Sequence, residues 1–298
     1  MLGVHPKASN IGSWGETGRR PLTYECLKLT IKYFSRIKSL NDNSFLSHAF
    51  KEQRTLNLPW YHNITKIISA NIDPTGNEPQ PAPPQPSPSH QPPAFLNHND
   101  PTQDQVHANF IETPICAHDI PLTSKIIHTI ISNLEYNFEQ SWENIKSQSP
   151  KLPYYHKNKT TFEKAPYISE VKNFNHRSAL TRLRISAHDL KIETGRYINQ
   201  PRDERTCSWC NLVLGKNVIE NEQHFLLECD LYNSPRRSFL ECLPRNPLAA
   251  PTELNINSFM ALENNTVHNS LLAKTVANMF TIREKFIESI ETINTQPI

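Results

Sequence analysis

The sequence is poor in glycine, has no long apolar run and contains no two adjacent aspartates. Only 7 of its 298 residues are glycine, and no glycine-rich loop of the kind that cradles phosphates is present. No nucleophile–base pair typical of covalent catalysis is recognisable either. These absences disfavour an enzyme, and we predict that this chain is not catalytic.

No apolar stretch approaches the roughly 20 residues that a helix needs to cross a bilayer. The N-terminal stretch MLGVHPKASNIGSWGETGRR lacks the apolar core of a secretory signal. Six cysteines are present, and without export they are expected as thiols or metal ligands rather than as disulfides. We therefore expect a soluble intracellular protein, nuclear or cytoplasmic, without membrane contact.

Proline, by contrast, is abundant and concentrated in one place. Ten of the 24 prolines fall between Asp73 and Pro101. Proline removes backbone donors and fixes φ, so such a stretch favours extended, unpaired chain. We predict a disordered linker over residues 73–105.

Charge is distributed unevenly along the chain. Residues 151–205 carry 12 Lys and Arg against 6 Asp and Glu, and residues 1–72 are basic as well, whereas residues 73–150 are acidic. A basic block favours a polyanionic partner because binding releases the partner's counterions, although solvated helix faces have the same composition.

Apolar residues before the linker recur at three- and four-residue steps, the period of a helix. One helix is expected after Pro21, a second near Asn43 and a third after Pro59, since these residues favour helix starts. The first helix is expected to bury a single apolar stripe, made of Leu22, Cys26, Leu29, Tyr33 or Phe34, and Ile37.

After the linker, Thr123 is placed to cap a long helix with one apolar stripe. Another helix covers HRSALTRLRISAHDL, with arginines expected outside, and an amphipathic helix spans Val267 to Ile293. No useful alternating strand pattern appears outside the cysteine region, so the fold is predicted to be mostly α. The residues expected to be buried on the helix after Thr123 are Ile126, Ile130, Leu134, Phe138 and Trp142. Those expected to be buried on the helix over HRSALTRLRISAHDL are Leu180, Leu183 and Ile185.

Four candidate metal ligands fall within 23 residues: Cys207, Cys210, His224 and Cys229. The Cys-x2-Cys spacing lets two thiolates point at one ion, and LVLGKNVI between the ligand pairs is expected to form a short hairpin. On a regular helix, residues five apart diverge by about 140°. His224 and Cys229 can therefore share an ion only if the helix ends, loosens or bends between them.

The four ligands predict a structural zinc site, in which protein side chains fill the tetrahedron. A catalytic zinc keeps one position open, and HFLLEC matches neither the H-x-E pattern of deaminases nor the H-E-x-x-H pattern of metalloproteases. The alternative is that the cysteines are small buried hydrophobic residues and the histidine belongs to the core.

The stretch LRISAHDLKIETGRYINQPRDERTCSWC, followed by ENEQHFLLECDLYNSPR, resembles the zinc-binding segment after the polymerase in non-LTR retrotransposon reverse transcriptases. The opening GVHPKASNIGSWGETGRRPL resembles the region just after the polymerase fingers and palm in the same family. The shared features of the first stretch include Arg184, His188, Leu190, Glu193, Gly195, Arg196, Tyr197, Arg205, Glu222, His224, Phe225, Cys229 and Tyr232.

This resemblance implies the tail of a reverse transcriptase without its catalytic core. Polymerase chemistry in that family needs paired aspartates for a two-metal site, and the sequence has no Asp-Asp. A truncated element copy or a gene-model fragment is therefore expected. The expected segments are 1–72 (helical, post-polymerase-like), 73–105 (linker), 106–176 (helical), 177–245 (zinc-binding module with a basic approach) and 246–298 (helical tail).

The family's tail is expected to position template or target, which makes RNA or DNA the expected partner. Phosphate contacts from basic side chains are largely independent of sequence and weaken with salt. The alternatives are a zinc-stabilised protein-interaction module that binds through its amphipathic helices, and a retrotransposon-derived fragment with no selected function. The candidate nucleic-acid contacts are Arg177, Arg182, Arg184, Lys191, Arg196, Arg202 and Arg205.

Overall fold

The computed structural model describes residues 2–4, 8–56, 58–71, 122–242, 256–260 and 266–295, and within them the chain is mostly α-helical. The predicted fold class is confirmed. Extended pairing in these residues is limited to one antiparallel bridge, between Thr206 and Ile219. In chain order the helices are α1 (Asn10–Thr17), α2 (Leu22–Lys38), α3 (Phe45–Thr55), α4 (Pro59–Ala70), α5 (Ser124–Gln148), α6 (Tyr155–Asn158), α7 (Tyr167–Glu170), α8 (Phe174–Arg184), α9 (Lys191–Tyr197), α10 (Ser208–Leu214), α11 (Asn233–Cys242), α12 (Ile256–Met260) and α13 (Thr266–Thr295).

The chain divides into two compact units, which we call the helical unit (residues 20–142) and the metal-site unit (residues 1–19 and 143–298). The proline-rich linker predicted at 73–105 lies outside the described residues, and the five sequence segments stay a prediction. No helix in the described ranges is sufficiently long and apolar to cross a membrane.

Helix starts in the helical unit follow the predicted chemistry closely. Thr123 caps α5, since its Oγ1 accepts a hydrogen bond from the backbone N–H of Ile126 at 3.3 Å. Pro59 is the first residue of α4. The cap of α3 is Ser44 rather than Asn43, and the Ser44 Oγ accepts from the Ser47 N–H at 3.1 Å.

The core of the helical unit confirms the stripe predicted for α5 and corrects the one predicted for α2. Every predicted residue of α5 from Ile130 to Trp142 is buried. On α2, however, Leu22 and Leu29 are 77% and 66% exposed, and Tyr24 and Ile31 are buried instead. This helix carries two apolar stripes, and periodicity alone does not distinguish them. Packing of the Tyr24 ring on Phe138, with centroids 5.4 Å apart, occurs on the stripe that is buried.

The core of the metal-site unit forms where α13 packs on α8, with α7 and α11 beside it. Leu180 and Leu183 of α8 are fully buried, as predicted. They belong to the same apolar cluster as the metal-site residues Phe225 and Leu226. The helices therefore bury a continuous core against the segment that carries the cysteines and histidine.

Arg184, predicted to lie on the outside of α8, is buried in this core. Its guanidinium pairs with Glu16 of α1, with Nε–Oε2 and Nη2–Oε1 distances of 3.2 and 3.1 Å, and also donates to the Met260 carbonyl. Both ion-pair partners are 2% exposed or less. Arg184 follows Leu180 by four residues, which places it on the core face, and the partner 168 residues away lets it be buried there.

We expect Arg184→Met to lower the free energy of unfolding by about 3–5 kcal/mol, because it leaves the Glu16 carboxylate buried without its partner. Urea denaturation followed by circular dichroism measures this loss. Arg237→Met, which removes an exposed arginine from α11, is the matched control and should change stability by less than about 0.5 kcal/mol. Equal effects of the two substitutions would contradict a structural role for the Glu16–Arg184 pair.

Candidate metal centre

The four predicted ligands come together in the metal-site unit. Cys207, Cys210, His224 and Cys229 are all buried, and one potential ligand atom from each lies within 4.8 Å of the others. The Cys229 Sγ lies 3.9 Å from the Cys207 Sγ and 3.8 Å from the Cys210 Sγ. The Cys210 Sγ lies 3.4 Å from the His224 Nε2.

Three of these separations, 3.9, 3.8 and 3.4 Å, match edges of one coordination tetrahedron. With metal–sulfur and metal–nitrogen bonds of about 2.3 and 2.0–2.1 Å, a tetrahedral ion separates two sulfur ligands by about 3.8 Å and a sulfur from a nitrogen by about 3.5 Å. A disulfide would require a sulfur–sulfur distance near 2.05 Å, and the three cysteines are free. The cluster can therefore hold a single metal ion.

The first ligand pair lies across the first turn of α10. Cys207 immediately precedes this helix and Cys210 is in its first turn, so the spacing of three residues places both thiols on one side. The structure does not have the hairpin predicted through LVLGKNVI, since the residues before Gly215 are helical. Gly215, with φ +64°, ends the helix in the left-handed conformation and donates its N–H to the Asn211 carbonyl at 3.1 Å.

After α10 the chain pairs with the residues before Cys207 through a single β-bridge. The N–H of Cys207 donates to the Val218 carbonyl at 2.7 Å, and the N–H of Glu220 donates to the Arg205 carbonyl at 2.8 Å. These two bonds flank the single bridge between Thr206 and Ile219. They tie the first ligand to the segment that leads to His224.

The second ligand pair is aligned by a π-helical turn over His224–Glu228. The N–H of Cys229 donates to the His224 carbonyl at 2.9 Å, a bond between residues five apart. A π-turn is wider than an α-turn, so it returns the fifth residue toward the side from which the first one projects. The expectation that the helix must loosen between these ligands is confirmed.

Arg236 of α11 holds the end of the π-turn in place. Its Nε donates to the Leu226 carbonyl at 2.8 Å and its Nη2 to the Cys229 carbonyl at 3.0 Å. An arginine that donates to the last carbonyls of a turn satisfies groups that the turn itself leaves unpaired. On the apolar side, the Phe225 ring packs against the rings of Tyr232 and Phe280, with centroid distances of 4.8 and 4.7 Å.

The side chain of His224 is oriented by its neighbours. Its backbone N–H donates to the Asn221 Oδ1 at 2.8 Å, and its Nδ1 lies 3.5 Å from a carboxylate oxygen of Glu228. That distance is longer than a good hydrogen bond. Because Nε2 is the nitrogen that faces the sulfur atoms, the carboxylate lies on the side away from the metal position, as in many histidine ligands.

Hydrogen bonding and burial make the pKa values of the three thiols unequal. The hydrogen bond from Cys229 lowers the pKa of Cys207 to about 3. Burial, reinforced by the charge of Cys207, raises the pKa of Cys210 to about 11, and the hydrogen bond with Cys207 also raises the pKa of Cys229. A bound cation would compensate the charge of all three thiolates, so metal binding is expected to release protons.

Two of the predicted nucleic-acid contacts belong to the fold. Arg184 lies in the buried ion pair described above, and no polyanion reaches it, so we withdraw it from the candidate contacts. Arg205 is half-buried and donates twice to the Gln200 carbonyl, at 2.9 and 2.6 Å, and once to the Ile192 carbonyl, at 2.9 Å. These hydrogen bonds fix the segment that leads into Cys207.

Three more predicted contacts are partly engaged at the surface. Arg177 donates to the Val171 carbonyl at 2.7 Å. Arg182 pairs with the exposed Asp189, and Arg196 lies 3.3 Å from a Glu193 oxygen. Each arginine is half-buried and retains donors that a phosphate can use.

Lys191 and Arg202 are different, because no acceptor contacts either charged group within the described ranges. Lys191 is half-buried and Arg202 is exposed. The backbone of Lys191 is nevertheless fixed, since its N–H donates to the Glu220 Oε2 at 2.8 Å. Arg202 begins a 3-10 turn that ends three residues before Cys207.

Sequence reasoning missed the ion pair that joins the ligand loop to α13. Arg283 donates through Nε and Nη2 to the two carboxylate oxygens of Glu220, both at 2.7 Å. The residues are 63 positions apart and no local pattern connects them. The sequence identifies Glu222 only as one of the residues shared with the resembled family, and it predicts no contact for this residue. In the structure, the Glu222 carboxylate accepts hydrogen bonds from Ser186 at 3.0 Å and from the His188 Nε2 at 3.1 Å. These contacts fix the loop between the two ligand pairs.

Comparison with known proteins gives no relative: no family model, curated protein or solved structure matches the chain.

We expect the full chain to purify with one metal ion, and Cys207→Ser with Cys210→Ser to lose it, because a hydroxyl is a poor replacement for a thiolate ligand. Elemental analysis against protein concentration measures the ratio. Cys26→Ser with Cys242→Ser is the matched control, because both of these cysteines are exposed and outside the cluster. Stoichiometric metal in the first double variant, or none in the unaltered chain, would contradict the site.

Proposed function

We propose that the ion is zinc and that its role is structural. The observation that supports zinc is the combination of three sulfur atoms and one nitrogen at tetrahedral separations. Four protein side chains complete the coordination shell and leave no position for water or a substrate. Zinc bound here would hold α10 and the π-turn together, and it would add its binding free energy to that of folding.

We propose that the metal-site unit binds nucleic acid without catalysing a reaction on it. Lys191 and Arg202 carry this proposal, because their charged groups have no acceptor in the described part of the chain, while their backbone positions are held beside the ligand loop. Lys191 N–H and Ile192 N–H both bond to Glu220, at 2.8 and 3.1 Å. Metal binding would thus fix where these cations lie relative to each other.

Arg177, Arg182 and Arg196 extend the proposed contact surface. Arg182 pairs with the exposed carboxylate of Asp189, whereas Arg177 and Arg196 contact acceptors of the buried residues Val171 and Glu193. Each guanidinium has further N–H donors that phosphate oxygens can use. Contacts of this type read charge and spacing rather than base sequence. RNA and DNA are both suitable partners on this basis.

The resemblance to the post-polymerase region of non-LTR retrotransposon reverse transcriptases is part of this proposal. It is supported by the motif around the four ligands and by the contacts of Glu222 and His188, which give two of the shared residues a common structural role. The proposed role is that of a tail that positions nucleic acid, with polymerase chemistry absent from this chain because no Asp-Asp pair is present.

A protein-interaction module is the second candidate, and one observation favours it. Leu212, Val213 and Leu214 at the end of α10 are 60%, 56% and 39% exposed, and they are consecutive. Exposed apolar clusters of this kind mark contact surfaces in many proteins. A partner protein bound there would depend on the metal, since α10 begins at a ligand.

We expect cobalt(II) to bind the metal-free chain in a tetrahedral, thiolate-rich environment and zinc to displace it. Zinc has a filled d shell and loses no ligand-field stabilisation when it leaves octahedral water for a tetrahedral site, whereas cobalt does. Visible absorption measures both steps: intense ligand-field and sulfur-to-metal bands appear with cobalt and disappear on zinc addition. The weak absorption of octahedral cobalt, or cobalt that zinc does not displace, would contradict a zinc site with four protein ligands.

We expect the zinc-loaded full chain to bind single-stranded RNA or DNA with an affinity that falls with salt at a log–log slope of about −0.7 per phosphate contact. Lys191→Gln and Arg202→Gln should each make the slope shallower by about one contact and weaken binding to all sequences alike. Fluorescence anisotropy between roughly 50 and 200 mM salt measures both effects.

Lys32→Gln serves as the control for this experiment. It removes an exposed lysine from α2, in the helical unit, and should leave the slope unchanged. Affinity that is independent of salt, or equal losses in the three variants, would reject the proposed surface and favour the protein-interaction module.

A further inference from the structure

The metal-site unit contains a cavity of about 210 Å³ beside the ligand loop. It is smaller than the roughly 300–1,000 Å³ that encloses a drug-sized ligand, so it suits one flat ring with its attached group. Its walls come from the chain after α5, from α9, from the 3-10 turn before Cys207 and from the residues before the π-turn. The lining residues that matter here are Lys151, Tyr154, Glu193, Arg196, Arg202 and Asn221.

Glu193 contributes an unsatisfied acceptor to this cavity. Its side chain is 3% exposed, and its Oε2 receives no hydrogen bond from any described residue. The Lys151 Nζ lies 3.8 Å from that oxygen, a distance that is too long for a hydrogen bond. Burial raises the pKa of Glu193, in keeping with a carboxylate that lacks donors. A buried acceptor left in this state costs about 1–3 kcal/mol, and more when it is charged.

The same cavity carries positive charge at its outer side. The Arg202 guanidinium is exposed and has no partner among the residues described. Arg196 is half-buried and is shared between Glu193 and the Pro150 carbonyl. A ligand that suits both parts therefore bears an anionic group outside and a hydrogen-bond donor inside.

The half-buried Tyr154 lines the cavity as well. Aromatic side chains stack on nucleic-acid bases at about 1–3 kcal/mol per base. Burial raises the pKa of Tyr154, so the phenol stays neutral near pH 7.

We propose that the cavity receives one nucleotide of a bound single strand, with its phosphate on Arg202 and Arg196 and the exocyclic amino group of its base donating to the Glu193 Oε2. This inference rests on the proposed nucleic-acid binding and adds a base preference to it. A carboxylate only accepts hydrogen bonds, so it favours cytosine, whose 4-amino group donates, over uracil, whose 4-oxygen accepts.

The position of the cavity links it to the metal centre. Asn221 lines the cavity and also accepts from the His224 N–H at 2.8 Å. Arg202 precedes Cys207 on the other side. Both walls are therefore attached to ligand segments, and a chain without metal is expected to lose the base preference together with the shape of the cavity.

The test compares the binding of 12-nucleotide oligocytidine and oligouridine to the zinc-loaded full chain by fluorescence anisotropy at pH 7.5. We expect oligocytidine to bind at least about 5-fold more tightly, as one correct base contact confers. Glu193→Gln should abolish this ratio, because a carboxamide both donates and accepts. Glu204→Gln removes an exposed carboxylate two residues after Arg202 and should leave the ratio intact.

A modified oligonucleotide tests the same contact on the unaltered protein, in case Glu193→Gln does not fold. Replacing each cytosine by 2-pyrimidinone removes only the 4-amino group and should lower the affinity to that of oligouridine. Zinc content and circular dichroism establish that the protein variants are folded.

Salt-dependent binding with equal affinity for the two oligomers would overturn the cavity assignment and leave the proposed function intact. The assignment would also be overturned if folded Glu193→Gln still bound oligocytidine more tightly than oligouridine. The same holds if the 2-pyrimidinone oligomer, which lacks the 4-amino group, still bound more tightly than oligouridine. Cytidine 5′-monophosphate that binds as tightly as oligocytidine would show a free nucleotide rather than a strand as the ligand. If neither oligomer binds at low salt, the proposed function fails together with this inference.

Discussion

The hydrogen bond from the Cys229 N–H to the His224 carbonyl is the contact on which the metal centre depends. It makes the turn π-helical, and the widened turn lets ligands five residues apart face the same point. A turn of this kind is less stable than an α-helical turn, so other groups must support it. Arg236 does so by donating to the carbonyls of Leu226 and Cys229, and Phe225 does so by packing on Phe280 of α13.

Buried ion pairs connect the rest of the metal-site unit to this turn. Glu220, between the ligand pairs, accepts from Arg283 of α13 and from the N–H of Lys191. Glu222 accepts hydrogen bonds from Ser186 and His188, which lie just after α8. Removing one partner of such a pair is costly because the other charge stays buried. The ligand loop is thus held by α13 and by the segment that follows α8, and its contact with Glu220 also fixes the backbone of Lys191.

The basic residues of this region differ in whether the rest of the described chain supplies acceptors for their charged groups. The guanidinium groups of Arg184 and Arg205 donate hydrogen bonds to acceptors within the protein. The charged groups of Lys191 and Arg202, which lie near the ligand loop, have no acceptor among the described residues. All four lie within 22 consecutive residues of the same basic block, so charge density along the chain does not distinguish them. The distinction comes from whether a carbonyl or carboxylate of a distant segment reaches the guanidinium, as Glu16 reaches Arg184 across 168 residues.

The sequence by itself determined the features that depend on short separations. The period of the apolar residues placed α5 and α13, and it placed α8 as well, although that helix ends at Arg184 rather than at Leu190. The chemistry of Thr123 and Pro59 placed helix starts, and the spacing of the four ligands required the helix to end, loosen or bend between His224 and Cys229. Tertiary structure decided what local patterns leave open: which stripe of α2 is buried, that the segment after Cys207 is a helix rather than a hairpin, and that Arg184 is internal. In each of these cases the local sequence permits two arrangements, and contacts with residues distant in the chain select one.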